Sequence, residues 1–206
     1  MNYWKTMSSS DQRNNLFPVF LKMERLNTLI VGGGNVGQEK LAALLKNSPG
    51  APITLVGIKI KDRIKQICQK YPKVVLKERA FRPDDLNGVN IALLATEDRN
   101  TNISIGQLAK ALNIPVNVAD TPDLCDFYLC SVVQKGHLKI GISTNGQSPT
   151  FAKRFRQVLE EVLPEETNDL LGNLRTLRDR LKGDFQYKVK KLNEYTSQLV
   201  SGEVRK

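Results

Sequence analysis

The 206 residues hold one histidine and three cysteines, and nothing in their spacing suggests a structural metal site. Cys68, Cys125 and Cys130 are odd in number and lack paired C-x-x-C spacing, which excludes a disulfide framework and a zinc ribbon and fits a reducing cytoplasm. His137 has no Cys, His or acidic neighbour at ligand spacing, so no metal site is expected there either. No apolar run approaches the roughly 20 residues of a membrane span. The start, "MNYWKTMSSSDQRNN", is polar where a signal peptide has an apolar core, and predicts a loose tail over residues 1–14. Acidic residues are also scarce: 21 Asp and Glu face 31 Lys and Arg, a formal charge of +10 that draws polyanions. RNP, helix-turn-helix and zinc-finger patterns are missing, and no basic stripe is interleaved with aromatics, which argues against nucleic acid as the partner. Phosphates and carboxylate-rich small molecules remain as partners for that charge.

What the chain does contain is an alternation of short apolar strands and helical stretches. "TLIV", "ITLVGI", "VVLKERAF", "VNIALLAT" and "PVNVAD" read as strands, the buried kind found in parallel sheets. Between them, "GQEKLAALLKN" places Leu41, Ala42, Leu44 and Leu45 at helical spacing, and "NISIGQLAKALN" reads the same way. Strands alternating with helices predict an α/β fold with a Rossmann-type, doubly wound parallel sheet over residues 15–120. After Asp120 the rhythm changes. "FYLCSVVQKGHLKIGIST" reads as a hairpin turning through "QKG", and "SPTFAKRFRQVLEEVL" as a helix opened by Ser148 and Pro149. Leu170, Leu174, Leu177, Leu181, Phe185, Val189, Leu192 and Leu199 then follow at steps of three, four or seven, one apolar stripe of a long helix or a helix pair. Such a stripe is expected to pack within its own fold or dimer.

The most informative stretch is "LIVGGGNVGQEKLAALL". Gly32, Gly34 and Gly37 form G-x-G-x-x-G directly after a strand and at the opening of a helix, the context of a dinucleotide-binding turn. Gly32 permits the tight turn, Gly34 lets backbone approach a pyrophosphate, and Gly37 allows the helix to pack closely. The P-loop pattern G-x-x-x-x-G-K-[ST] is absent. The acid usually found about 20 residues on, which receives a ribose 2′-hydroxyl, is absent too. Gly57, Lys59 and Lys61 stand in that region, so backbone groups or Asn and Thr side chains must hold the ribose, and a 2′-phosphate is not excluded.

Taken together, "FPVFLKMERLNTLIVGGGNVGQEKLAALL", "LLATEDRNTN", "VNVADTPDLCDF" and "LKIGISTNGQSPTFAKRFRQVLE" resemble the precorrin-2 dehydrogenases of sirohaem synthesis, over residues 16 to 165. The resemblance implies a Rossmann domain at 15–120, a dimerisation hairpin region at 121–155 and a small helical domain at 156–206. It implies NAD as cofactor, a tetrapyrrole substrate, a cytoplasmic homodimer and, in some members, insertion of ferrous iron. Asp120 matches the family's functional aspartate and is the candidate proton acceptor; a strand-end aspartate otherwise caps or turns the chain. Gly32, Gly34, Asn35, Val36, Gly37, Thr96 and Asn117 are the candidate cofactor-binding residues. Asn117 reads equally well as a buried amide that satisfies backbone groups. For the acidic arms of the substrate the candidates are Ser143, Thr144, Asn145, Gly146, Lys153, Arg154 and Arg156, around a turn whose exposed N–H groups suit anions. Two departures from the family stand out: Cys130-Ser131 where Pro-Ala is common, and Glu39 where a basic residue is common. The competing expectation is a dimeric regulator that senses NAD and performs no reaction.

Overall fold

A computed structural model describes residues 13–197. Most of the expected N-terminal tail, and Leu199 of the apolar stripe, lie outside the described residues. The described residues divide into two compact units, one formed by Phe17–Leu129 and the other by the described residues on either side of it.

Phe17–Leu129 is the parallel sheet with its helices. In chain order it contains β1 (Thr28–Val31), α1 (Asn35–Asn47), β2 (Ile53–Gly57), α2 (Asp62–Cys68), β3 (Val74–Glu78), β4 (Ile91–Leu94), α3 (Arg99–Ala111) and β5 (Val116–Val118). The strand order is β3-β2-β1-β4-β5, all parallel, so the expected doubly wound sheet is present. Alternation along each strand divides the core between two faces. Ile30, Leu55 and Leu93 meet Leu41, Leu44 and Leu45 of α1 and Ile64 of α2, while Leu29, Val31 and Leu94 meet Ile105 and Ala109 of α3. Ala42 is exposed; Gly37, Leu41, Leu44 and Leu45 form the inner face of α1 instead, at steps of four, three and one.

The sheet unit runs past Asp120 because the segment after it returns to β5. Asp126 donates its N–H to the Val116 carbonyl (2.8 Å) and accepts the Val116 N–H on Oδ2 (2.9 Å). These bonds give the edge strand a partner on its free side.

On the other side of the sheet, β3 ends at Glu78 because Arg79 turns inward to Asp85. The Asp85 carboxylate is almost fully buried and takes two bonds from Arg79 (2.7 and 2.6 Å), one from Lys77 Nζ (3.0 Å) and one from the Arg82 N–H (3.0 Å). The Arg79 guanidinium above all, then the Arg82 N–H and Lys77, holds this carboxyl far below the usual carboxylate range against the cost of burial. A depressed folded value stabilises the fold fully above the unfolded value near about pH 4, and that contribution fades as pH falls below it. Asp85→Asn is therefore expected to lower stability at neutral pH by about 3 kcal/mol, leaving two cations without their acceptor. Urea unfolding of both proteins at pH 7 and at about pH 2 checks this: the gap narrows at the lower pH.

The second unit holds β6 (Ser131–Lys135), β7 (Leu138–Ile142), α4 (Pro149–Val162), α5 (Thr167–Arg180) and α6 (Phe185–Thr196). β6 and β7 form the expected antiparallel hairpin. Its two-residue turn has Gly136 at φ +53, with Asn168 of α5 accepting the His137 N–H, so the sole histidine is a hairpin-turn residue. The apolar stripe is carried by a helix pair broken before Gly183 (φ +134), and within the single chain α5 and α6 bury none of it among the described residues. The two helices pack mainly on each other, which leaves Leu170, Leu177, Phe185 and Val189 exposed in the single chain. Among the described residues, no helix is long and apolar enough to cross a membrane.

Candidate functional site

The glycine turn joins β1 to α1, and its glycines divide by what surrounds them. Gly32 has φ +126, where L side chains are strained, and a Cβ there would sit 2.2 Å from the Ala95 carbonyl oxygen. A Cβ on Gly37 would lie 1.9 Å from the Gly32 carbonyl oxygen, so the first turn of α1 is pressed onto the loop. Gly33, an unmarked position of the motif, is equally constrained: its Cβ would meet the Lys59 carbonyl oxygen at 2.2 Å. Gly34 differs. A Cβ there meets only Glu97 Oε1, at 3.6 Å, so packing does not demand a glycine and the space in front of the backbone is open. That open cradle at the N-terminus of a 13-residue helix fits a pyrophosphate approaching free N–H groups.

The turn borders a cavity of about 1040 Å³ at the carboxyl ends of the strands, walled by residues 31–34, 57–61 and 95–98, part of α3 and the 80–83 segment. Gly32, Gly34 and Thr96 line it. Asn35, Val36, Gly37, Asn117 and Asp120 do not. Asn35 is exposed at the first position of α1 and accepts a hydrogen bond from Lys61 Nζ.

Thr96 follows β4 and is clamped by a residue that sequence reasoning missed. Asn102, buried on α3, accepts from the Thr96 N–H (3.1 Å) and hydroxyl (2.7 Å) on Oδ1 and donates from Nδ2 to the Thr96 carbonyl (3.1 Å). Asp98 caps the same helix, accepting from the N–H groups of Asn100 and Thr101 and from the Thr101 hydroxyl. These bonds, the Thr101 ones first, hold its carboxyl below the usual range. The only signal was an Asn at the opening of the predicted helical stretch, where a polar side chain reads as surface.

At β5 the amide of Asn117 is engaged at both ends. Its Oδ1 accepts from Lys40 Nζ (2.5 Å) and its Nδ2 donates to the Phe127 carbonyl (2.9 Å). These bonds fit the reading of Asn117 as a buried amide that satisfies its surroundings. Lys40 reaches inward from α1 and is half-buried. Burial pushes its ammonium below the ordinary lysine value, while the Cys125, Glu39 and Asp120 charges pull the other way. Glu39 is exposed and lends its charge to this neighbour. Asp120 does not end the strand: it lies two residues past Val118, exposed, in left-handed backbone (φ +55) that Asp tolerates better than most side chains.

In the second unit the Ser143–Ser148 turn is braced by its own hydroxyls. Ser143 Oγ accepts from the Asn145 N–H (3.2 Å) and from Asn14 Nδ2 (3.3 Å), and Thr144 Oγ1 accepts from the Ser148 N–H (3.1 Å). Asn145 and Gly146 turn the chain at φ +51 and +76. Ser148 caps α4 by accepting the Phe151 N–H, as its place before Pro149 predicts. Arg156 is paired with Glu160 on its own helix (2.6 Å) and Arg154 donates to Gln157 (3.2 Å), whereas Lys153 is exposed and forms no ion pair among the described residues.

Two family models match the chain. One, for NAD(P)-binding proteins, covers residues 19–131, and one for the central part of sirohaem biosynthesis proteins covers residues 135–161. The chain is 36% identical to a siroheme synthase of Nitrosomonas eutropha over 170 residues, 82% of this chain and 34% of the relative. A siroheme synthase of Psychrobacter cryohalolentis is 35% identical over 193 residues, 92% of this chain and 36% of that one. The chain thus spans about a third of the length of the curated relatives it matches. A solved structure titled SirC, precorrin-2 dehydrogenase, superposes with a TM-score of 0.68 at 24% identity, covering 87% of this chain and 88% of that one, a likeness of fold.

Proposed function

Because the chain belongs to the NAD(P)-binding family, we propose that it oxidises precorrin-2 to sirohydrochlorin in sirohaem synthesis, with NAD as the oxidant. The observation that carries this reading is the open cradle at Gly34 beside glycines that packing does require. Oxidation of the macrocycle removes a hydride and a proton. NAD, when bound, supplies the acceptor for the hydride. The chain's own residues do the rest. N–H groups of the Gly32–Gly37 turn hold the pyrophosphate, with Asn35 and Val36 at the helix start and Thr96 on the facing loop. Asp120, exposed at the mouth of β5, accepts the proton on a carboxylate oxygen. Asn117 orients the site through Lys40 and the Phe127 carbonyl, to which both ends of its amide are bonded. Carboxylate arms of the substrate are taken by Lys153, Arg154 and the N–H groups of the Ser143–Gly146 turn, with Arg156 the weaker partner because Glu160 already neutralises it.

The protein works as a homodimer in this reading. Phe151, Phe155, Val158 and Val162 form an exposed stripe on α4 at steps of four, three and four, with the two phenyl rings stacked 5.8 Å apart. A contiguous apolar face of this kind suits a second copy of the chain.

Purified protein mixed with precorrin-2 and NAD is expected to develop the sirohydrochlorin spectrum as NADH appears. Tight NAD binding with no colour change would replace the enzyme by a nucleotide-sensing regulator. Ferrous iron, added as a substrate after the oxidation, tests metal insertion separately.

A further inference from the structure

We infer that Lys40 is a positioning residue for the oxidation: from the second turn of α1 its ammonium, acting through Asn117, fixes the end of β5 and with it the carboxylate of Asp120. The inference deepens the reading of Asp120 as the proton acceptor and rests on it.

The face of the sheet beneath α1 carries one row of side chains across all five strands. From edge to edge it runs Leu76, Leu55, Ile30, Leu93 and Asn117, each in register with the next. The four leucine and isoleucine side chains belong to the α1-side core or pack against it, and the fifth position is a buried amide. A leucine at 117 would continue the row with no polar atom to satisfy. The amide needs a donor instead, and Lys40 Nζ supplies it at 2.5 Å. Lys40 is itself half-buried and forms no ion pair among the described residues. An ammonium taken partly out of water without a carboxylate partner costs stability rather than adding to it. Packing alone does not call for this cation, and groups that cost stability are kept where function needs them.

The need is at the end of β5. The Asn117 Nδ2 donates to the Phe127 carbonyl (2.9 Å), the Val118 N–H donates to Cys125 Sγ (3.2 Å), the Cys125 thiol donates to the Val118 carbonyl (3.2 Å), and the Ala119 N–H donates to the Leu94 carbonyl (2.9 Å). Asp120 is the first residue beyond this clamp, in left-handed backbone and exposed, and its carboxylate accepts no hydrogen bond among the described residues. Its placement therefore depends on the strand end behind it and on the charges around it. Asp120, Glu39 and Cys125 are the groups whose charge acts on Lys40, and of these Glu39 is its exposed neighbour on α1. During the oxidation the hydride passes to NAD and the proton to Asp120; Lys40 exchanges neither and keeps the acceptor in place.

The test follows precorrin-2 oxidation by NAD in the full chain, in Lys40→Met, in Lys40→Arg and in the double variant Lys40→Met with Asn117→Leu. For each, kcat, KM for precorrin-2, NAD affinity and the thermal melt are measured. Met keeps the stem of Lys40 and removes the charge, whereas Arg keeps both charge and donor. Lys40→Met is expected to lower kcat about 10- to 100-fold, with KM and NAD affinity changed by less than about threefold. Lys40→Arg recovers most of that loss. The double variant makes the row apolar throughout, so it melts no lower than Lys40→Met and stays slow. A parental kcat in Lys40→Met overturns the inference, and so do equal losses in Lys40→Met and Lys40→Arg. A double variant that regains the parental rate also overturns it, since the pair would then serve the fold alone. An active parent with any of these outcomes overturns the inference and leaves the reaction standing; a parent that leaves precorrin-2 unchanged overturns both.

Discussion

Replacing Asp120 by Asn is expected to lower the rate of precorrin-2 oxidation by about 100- to 10,000-fold, the range lost with a general base. NAD affinity and thermal stability are expected to stay within experimental error of the parent. The exchange is conservative in every respect except proton affinity. Asn shares with Asp the tolerance for the left-handed conformation found at this position (φ +55), so the turn after β5 persists. The side chain is exposed and accepts no hydrogen bond among the described residues, so no buried partner is orphaned. Stopped-flow absorbance of the pigment, with NAD affinity measured in parallel, checks the result. A variant that oxidises at the parental rate would remove Asp120 from the chemistry.

The second large effect concerns the glycine turn, where two substitutions separate packing from ligand binding. Gly37→Val places a branched side chain where even a Cβ would stand 1.9 Å from the Gly32 carbonyl oxygen. Helix α1 must move off the loop, with a cost of about 3 kcal/mol to stability and about 100-fold or more to dinucleotide affinity, since the helix N-terminus no longer meets the phosphates. Gly34→Ala tests the other role. Its methyl group finds nothing nearer than 3.6 Å, so the melting temperature holds while the cradle fills and affinity for dinucleotides falls. Thermal melts and fluorescence titration on the same preparations distinguish the two. A loss of stability in Gly34→Ala equal to that of Gly37→Val would make the whole turn a packing device.

Much of this was legible in the sequence because its physics is local. "TLIV", "ITLVG" and "IALL" are continuous apolar runs bounded by turn residues, which a strand buried on both faces requires, and all three are strands of the parallel sheet. The hairpin and the Ser148-Pro149 helix start were equally local. What escaped was made by contacts between distant residues. Lys40 sits in an amphipathic helix, where a lysine reads as a solvated face, and only folding brings it to Asn117, 77 residues away. The bonds from Asp126 back to Val116 carry no periodic signature and moved the edge of the sheet unit beyond Asp120. Gly33 occupies a variable position of the fingerprint, and its need for glycine comes from a loop 26 residues later. The apolar stripe of the last two helices was visible by spacing, but spacing does not say which surface covers it.

The torsion of Asp120 has an evolutionary corollary. A backbone in that basin admits few occupants, chiefly glycine, asparagine and aspartate, so selection explores a narrow alphabet there. Aspartate and asparagine codons differ by one base. On the role proposed for Asp120, a lineage carrying this chain therefore stands a single transition away from a descendant of unchanged shape that would hold nucleotide without turning it over, and the proposed catalyst and the sensor are neighbours in genotype.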